Sequence, residues 1–280
     1  MSPQPAPPAP TTAEGRQGLD ALLSDPRHAL IALDFDGTLA PIVDDPDQAR
    51  AHPRAVDALI RLAPRIGTLA LITGRPAQTA AQNARLTDHP ELSGVTVLGA
   101  YGAERWHHGH LTLPPPHPGV EALRHELPAL LRRSDTDPGV HIEDKGHALA
   151  VHTRRAQHPT AAFTALEGPL HQLARAHQLR LEPGRLVLEL RPPGADKGQA
   201  LTDLVTSTGA RAVVYGGDDL GDLPAYDALL GLRAAGTVRG TLVSAGNPEV
   251  TALNDRADLV VDGPEGVAEL LERIAETLGD

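Results

Sequence analysis

The chain has 280 residues, 41% of them hydrophobic, enough to bury one large core or a core with a smaller second lobe. Its net charge of −11 argues against a general nucleic-acid binder and against anionic membrane surfaces, and with no cysteine at all it excludes disulfides, thiolate metal sites and Cys nucleophiles. No apolar run has the length of a membrane span and the N-terminal segment lacks a signal-peptide core, so a soluble, cytoplasmic protein is expected, with no nucleic-acid or membrane partner.

Residues 1–13 are rich in proline and read as a disordered tail. A short helix over 14–23 precedes an apolar run, Leu30 to Leu33, which reads as a buried strand over 28–34. His52 to Arg65 places Val56, Leu59, Ile60 and Ala63 at helical spacing. A second strand follows over 66–72, then a helix over 77–86 and a third strand over 95–98. This β-α-β-α-β succession with apolar strands predicts a doubly wound parallel sheet covered on both faces. Residues 106–118 hold four His and a Pro-Pro-Pro run and read as a connector. The segment beyond alternates differently: a helix over 119–133, strands near 139–154 and 179–191, and a helix over 160–177. It reads as an α/β lobe inserted into the first domain. After Gly194 the first rhythm returns, with helices at 197–207, 222–232 and 265–278 and strands at 212–215, 241–244 and 258–261. The domains expected are therefore a core over 14–105 and 192–280, and an inserted α/β lobe over 106–191.

Three of the strands end in polar clusters: Asp34-Phe35-Asp36-Gly37-Thr38, Thr73-Gly74-Arg75, and Gly217-Asp218-Asp219 with Asp222. A fourth cluster, Asp196-Lys197-Gly198, opens a predicted helix. Ligands of open α/β sheets bind beyond the carboxyl ends of the strands, so the four should converge on one crevice. On extended backbone Asp34 and Asp36 project to the same side, and two carboxylates so placed repel unless a cation or a shared proton compensates. Asp34 and Asp218 could hold Mg²⁺, which prefers oxygen ligands. Thr73 offers a hydroxyl and Lys197 a positive charge to phosphate oxygens, so the set suits phosphoryl transfer. Asp34 is then the candidate nucleophile, and Asp36 the group that protonates the leaving oxygen and later activates water. Singly, each piece has a structural explanation: Asp36-Gly37 as a turn, Asp222 as a helix cap before Pro224, Lys197 as a surface lysine. Their order and compatible roles are what point to a site.

Asp34-x-Asp36-Gly37-Thr38, Thr73, Lys197 and Gly217-Asp218-Asp219-x-x-Asp222 resemble the four motifs of the haloacid dehalogenase superfamily, over about residues 28–105 and 192–278. Within it the chain resembles the trehalose-6-phosphate phosphatases. The inserted segment carries Glu143-Asp144-Lys145-Gly146, His152-Thr153-Arg154 and Leu188-Glu189-Leu190-Arg191-Pro192 in the order and spacing of that family. The resemblance implies a haloacid dehalogenase-like core with an α/β cap, and Mg²⁺-dependent hydrolysis of trehalose 6-phosphate through an aspartyl-phosphate. It implies Asp34 as nucleophile and Asp36 as acid and base. Mg²⁺ would be held by Asp34, the Asp36 carbonyl and Asp218, with Asp219 or Asp222 holding its waters. Gly37, Thr38, Gly74 and Arg75 are candidates on the substrate side of the core. Glu143, Lys145, His152, Arg154, Arg185 and Glu189 are those of the cap. A small-molecule substrate, trehalose 6-phosphate, and a monomer are expected.

The last motif departs from many relatives, with Gly221 and Leu223 where Thr and Glu are common, and Thr73 stands for a common Ser with the hydroxyl kept. A phosphatase of sucrose phosphate or mannosyl-3-phosphoglycerate with the same core is the alternative substrate assignment. A mutase is disfavoured because the segment from Leu39 to Leu69 is too short for the small helical cap such enzymes carry. A phospho-receiver lacks both the acid/base partner two residues after its Asp and an inserted lobe.

Overall fold

The computed structural model describes residues 9–43, 45–115, 117–133, 137–194, 196–246 and 251–279. In chain order the elements are α1 (Ala13–Ser24), β1 (Ala29–Leu33), α2 (Pro53–Leu62), β2 (Thr68–Ile72), α3 (Ala77–Asn83), β3 (Thr96–Gly99), β4 (Glu104–His107) and β5 (His110–Thr112). There follow α4 (Pro118–Arg133), β6 (His141–Asp144), β7 (Leu149–His152), α5 (Pro159–Ala176), β8 (Arg180–Gly184) and β9 (Val187–Arg191). The chain ends with α6 (Lys197–Thr208), β10 (Ala212–Gly217), α7 (Leu223–Ala234), β11 (Arg239–Ser244), β12 (Leu259–Val260) and α8 (Gly263–Thr277). It divides into two units, Met1–Leu113 with Ala195–Asp280, and Pro114–Gly194. None of the described helices is long and apolar enough to cross a membrane.

The first unit is built on an eight-stranded sheet in the order β12-β11-β10-β1-β2-β3-β4-β5. The six strands from β12 to β3 run parallel, β4 pairs antiparallel with β3, and β5 pairs antiparallel with β4. β1 is buried along its whole length because both faces of the sheet are covered. Ile31 and Leu33 join the layer formed with α2, α3 and α8, while Leu30 and Ala32 join that formed with α6 and α7. β1 and β10 are neighbours, with Leu33 opposite Gly216, and from this pair the chain winds outward in both directions. This is the position where a doubly wound sheet opens a crevice past its strand ends.

The core reaches further along the chain than composition suggests. Segment 106–113, expected in the connector, belongs to the core sheet: Val97 pairs with Trp106, and Arg105 with Thr112. Trp106 is buried against the core, so the unit boundary falls at Leu113 rather than at 106. Of the expected tail, residues 1–8 lie outside the described residues, but its end is in place. Thr12 caps α1 by accepting from the Gly15 N–H at 3.0 Å, and the Thr11 N–H donates to the Asp258 carbonyl at 2.7 Å.

Asp258 ties this N-terminal segment to the sheet. Its buried carboxylate accepts from the Thr12 hydroxyl, from the Leu242 N–H at 2.8 Å and from Arg233 Nη1 at 2.7 Å. Asp258→Ala leaves a largely buried guanidinium without its partner, an expected loss of about 3 kcal/mol. The melting midpoint should fall by roughly 5–10 °C. A midpoint within a degree of the parent would show that Asp258 is not a tie.

The second unit is a four-stranded antiparallel sheet, order β6-β7-β9-β8, with α4 and α5. Leu149, Val151, Leu188 and Leu190 on one face pack with Val120, Leu123 and Leu127 of α4 and Leu166 and Leu170 of α5. The other face carries His141, His152, Glu143, Glu189 and Glu182, which the strand register places in adjoining rows.

Candidate active site

Asp34 follows β1 and continues its ladder, its N–H donating to the Gly216 carbonyl at 2.8 Å. The chain then turns sharply at Phe35–Ala40, where the Leu39 and Ala40 N–H groups both donate to the Phe35 carbonyl. Gly37 sits in that turn at φ +74°, and a Cβ there would stand 2.1 Å from Asp218 Oδ2. Only glycine lets the first strand-end loop lie this close to the third. The Thr38 hydroxyl, fully buried, points to Asp218 Oδ1 at 3.4 Å.

The ends of β1 and β10 and the start of α6 bring their carboxylates and ammonium together. Lys197 Nζ is 2.9 Å from Asp34 Oδ1 and 2.8 Å from Asp222 Oδ1, and Asp34 and Lys197 are only 5% and 3% exposed. α6 starts here because the Asp196 side chain accepts from the Gly198 and Gln199 N–H groups, both at 2.8 Å. Asp222 is held by four donors: Lys197 and the Tyr215 hydroxyl (2.7 Å) on Oδ1, and the Asp218 and Asp219 N–H groups (3.1 and 3.2 Å) on Oδ2. It shapes the loop from beneath. One carboxylate oxygen from each of Asp34, Asp218, Asp219 and Asp222 lies within 4.8 Å of the others.

One ammonium against four carboxylates leaves the cluster short of positive charge. Burial pushes the Asp34 carboxyl well above the usual range; Lys197 works against that shift, and Asp222 and Asp219 add to it. Asp219 is also raised, by burial and then by Asp222. Burial alone would lower Lys197, but Asp222 and Asp34 outweigh it and keep the ammonium charged. An all-oxygen donor set with excess negative charge fits a hard divalent cation. Asp34 and Asp218 are the best placed to hold one, with Asp219 at the rim. The Asp36 carboxylate is not part of the group.

Asp36 faces β2 instead. Arg75 forks onto it, Nε to Oδ2 and Nη2 to Oδ1, both at 2.6 Å. The two carboxylates of the first motif thus part, each to its own cation. Thr73 is buried beyond β2, and its hydroxyl oxygen accepts from the Arg75 N–H at 3.2 Å, leaving its O–H to donate elsewhere. Gly74 permits this turn to pack on Tyr101, whose ring would stand 2.9 Å from a Cβ. Ala100 and Tyr101, both at positive φ, donate to the Arg75 and Thr73 carbonyls at 2.8 and 2.9 Å.

The four clusters anticipated from the strand ends therefore share one end of the sheet. The sequence profile of trehalose-phosphatases matches residues 32–253. The chain belongs to the trehalose-phosphatase family. It is 34% identical to a trehalose-phosphate phosphatase of Mycobacterium avium over 93% of its own length, and 32% identical to one of Mycobacterium tuberculosis over 90%. It spans 65% and 62% of those relatives. Among solved structures it resembles the C-terminal domain of C. albicans trehalose-6-phosphate phosphatase (TM-score 0.75, 20% identity, 97% of this chain and 99% of that one). It also resembles a haloacid dehalogenase-like hydrolase from Bacteroides thetaiotaomicron (TM-score 0.64, 18% identity, 88% and 99%). The fold is a haloacid dehalogenase-like α/β core with an inserted α/β unit.

The second set of expected residues lies in the inserted unit. Glu143, Lys145, His152 and Glu189 are joined in pairs. Lys145 Nζ is 2.5 Å from Glu189 Oε2, and His152 Nε2 is 2.8 Å from Glu143 Oε2. The His152 bond holds the Glu143 carboxyl below its ordinary value, against partial burial. Arg154 and Arg185 are exposed and lie on loops beyond the strands. Those loops run side by side, since the Thr153 N–H donates to the Leu186 carbonyl at 2.9 Å.

Tyr215, Glu182 and Arg191 escaped the sequence as candidates. Tyr215 sits inside an apolar strand run and reads as core, and only the folded chain brings its hydroxyl to Asp222. Arg191 pairs with Glu182 at 3.2 Å across β8 and β9. The spacing signal available was the alternation that puts Arg191 on the face of Glu189, two residues earlier.

Proposed function

We propose that this protein is a Mg²⁺-dependent phosphatase that hydrolyses trehalose 6-phosphate to trehalose and phosphate through an aspartyl-phosphate on Asp34. The convergence of Asp34, Lys197 and Asp218 carries the proposal: a buried carboxylate stands beside a fixed ammonium and a second carboxylate. Asp34 attacks phosphorus, the bond from phosphorus to the sugar oxygen breaks, and that oxygen takes the proton of Asp36. In the second half, water gives a proton to Asp36 and its oxygen to phosphorus, and the bond to Asp34 breaks. Lys197 and the Thr73 hydroxyl meet the phosphoryl oxygens, where charge develops. Mg²⁺, held by Asp34 and Asp218 with Asp219 nearby, would neutralise part of that charge.

The polar face of the inserted unit grips the disaccharide. Sugar hydroxyls are donors and acceptors together, and Glu143, Glu189, Lys145 and His152 offer both kinds of charged partner on one sheet. With aromatics at 2% of the chain, stacking contributes little. Arg154 and Arg185 extend the same surface. Glu189→Gln should raise KM for the sugar phosphate by about tenfold and leave kcat within about twofold, the loss of one charged hydrogen bond. An equal fall in kcat would place Glu189 in the chemistry instead.

Release of phosphate from trehalose 6-phosphate, sucrose 6-phosphate and mannosyl-3-phosphoglycerate, each with and without Mg²⁺, tests the assignment. Preference for trehalose 6-phosphate is expected, and comparable turnover of the others sinks the substrate claim. A cytoplasmic location and a monomeric working form are proposed, and sedimentation of the purified protein checks the second.

A further inference from the structure

Each of the three nitrogens of the Arg75 guanidinium already donates. Nε and Nη2 go to the two oxygens of Asp36, and Nη1 goes to the Pro46 carbonyl at 2.8 Å. The guanidinium carbon lies 5.3 Å from the centre of the Phe35 ring, and the side chain is 13% exposed against 39% for Asp36. Its backbone is fixed as well. The Arg75 N–H is on the Thr73 hydroxyl, and its carbonyl accepts from Ala100, a residue held at φ 51°. An arginine tied down in this way is a rigid bracket, and a fork onto a carboxylate fixes both the plane and the edge it presents.

We propose that Arg75 is the positioning residue for Asp36 and does not itself bind the transferring group. The bracket holds the Asp36 side chain at the mouth of the site between turnovers, whether or not it carries the proton. One of its two bonds opens when the leaving oxygen, and later the attacking water, takes that place. Lysine cannot substitute, because a single ammonium fixes neither plane nor edge. This rests on the phosphatase reading of Asp34 and Asp36. A residue that holds Asp36 should matter wherever Asp36 moves a proton, and nowhere else. 4-Nitrophenyl phosphate separates the two halves of the reaction, since nitrophenolate leaves without needing a proton.

The experiment follows the first turnover of 4-nitrophenyl phosphate by stopped flow. Steady-state release of phosphate from that ester and from trehalose 6-phosphate is measured beside it, with Mg²⁺ present. The proteins compared are the parent, Arg75→Lys, Arg75→Met and Asp36→Asn. In both Arg75 variants nitrophenolate should appear in a burst near one per enzyme, at a rate within about threefold of the parent's first turnover. Steady-state turnover of both substrates should fall by about tenfold to a hundredfold, the range of a lost acid/base contribution, and Asp36→Asn should show the same pattern. The methionine variant keeps an apolar stem over Phe35, so a fold defect limited to lysine would show as a difference between the two. A first turnover of nitrophenyl phosphate slowed as much as the steady state would assign Arg75 to the phosphoryl group and overturn the proposal. Unchanged steady-state rates in both variants would overturn it too. No turnover of either ester by the parent would overturn the phosphatase assignment itself, a result distinct from both.

Discussion

Asp34→Asn is expected to lower phosphate release by about four orders of magnitude or more, with the fold intact. The amide has the shape of the carboxylate and can still accept from Lys197, so packing around a 5% exposed side chain is preserved. What is lost is the proposed nucleophile, and no neighbour can take its place. Asp218 lies across the cluster, and both oxygens of Asp222 are already occupied by donors. The substitution also removes one negative charge from a group that has too many. The metal-free variant should therefore melt no lower than the parent, and by the sign of the Asp34 shift somewhat higher at neutral pH. Phosphate release and a thermal melt on the same preparation check both halves. Retained turnover would refute the covalent route, and a large drop in melting midpoint would show that Asp34 is structural.

Removing the divalent cation is the second large effect. Chelation should abolish turnover, and Mg²⁺ should restore it. The stability consequence has a direction in pH. The Asp34 carboxyl is raised in the fold, so the metal-free fold holds that proton more tightly than the unfolded chain does. The stabilisation is complete below the ordinary carboxylate range and is lost as pH rises through the raised value. A bound cation replaces the proton, so the gain in midpoint on adding Mg²⁺ should grow as pH rises from the ordinary carboxylate range through that raised value. At a hundredfold excess over Kd the gain is about 2.7 kcal/mol, or roughly 5–10 °C for a chain of this size. A gain that is absent, or the same at both ends of that rise in pH, would show that the acidic cluster does not hold the ion.

The parallel core was legible because its strands are apolar throughout and its chemistry sits where those strands end. Leu30 to Leu33 reads as a strand covered on both faces, and two carboxylates side by side at its end repel unless a cation or a proton compensates. β4 and β5 were not legible. Their sequence is His-rich and β5 is exposed along its whole length, so neither alternation nor an apolar run marks it. What makes it a strand is a partner, Trp106 against Val97 and Thr112 against Arg105. The motif residues could be named from order and spacing, but not their pairing. That Asp34 takes Lys197 while Asp36 takes Arg75 depends on which strands lie side by side, β10 and β2 flanking β1. Tyr215 was hidden for a related reason: a phenol in a strand of Val and Ala reads as core until its hydroxyl finds a partner.

The sheet closes around β1 from both ends of the chain, and this bears on synthesis. Thr38 and Asp218, in contact in the fold, are 180 residues apart in sequence. While a ribosome makes the intervening chain, at about 5–20 residues per second, β1 has β2 on one side and an open edge on the other for roughly 10–40 seconds. That edge carries Leu30, Ile31 and Leu33, a short apolar template for any other extended segment. The inserted unit, complete in sequence before β10 appears, can form its own sheet during this interval. The nascent protein is thus two folding problems of different length, and the one that carries Asp34 finishes last.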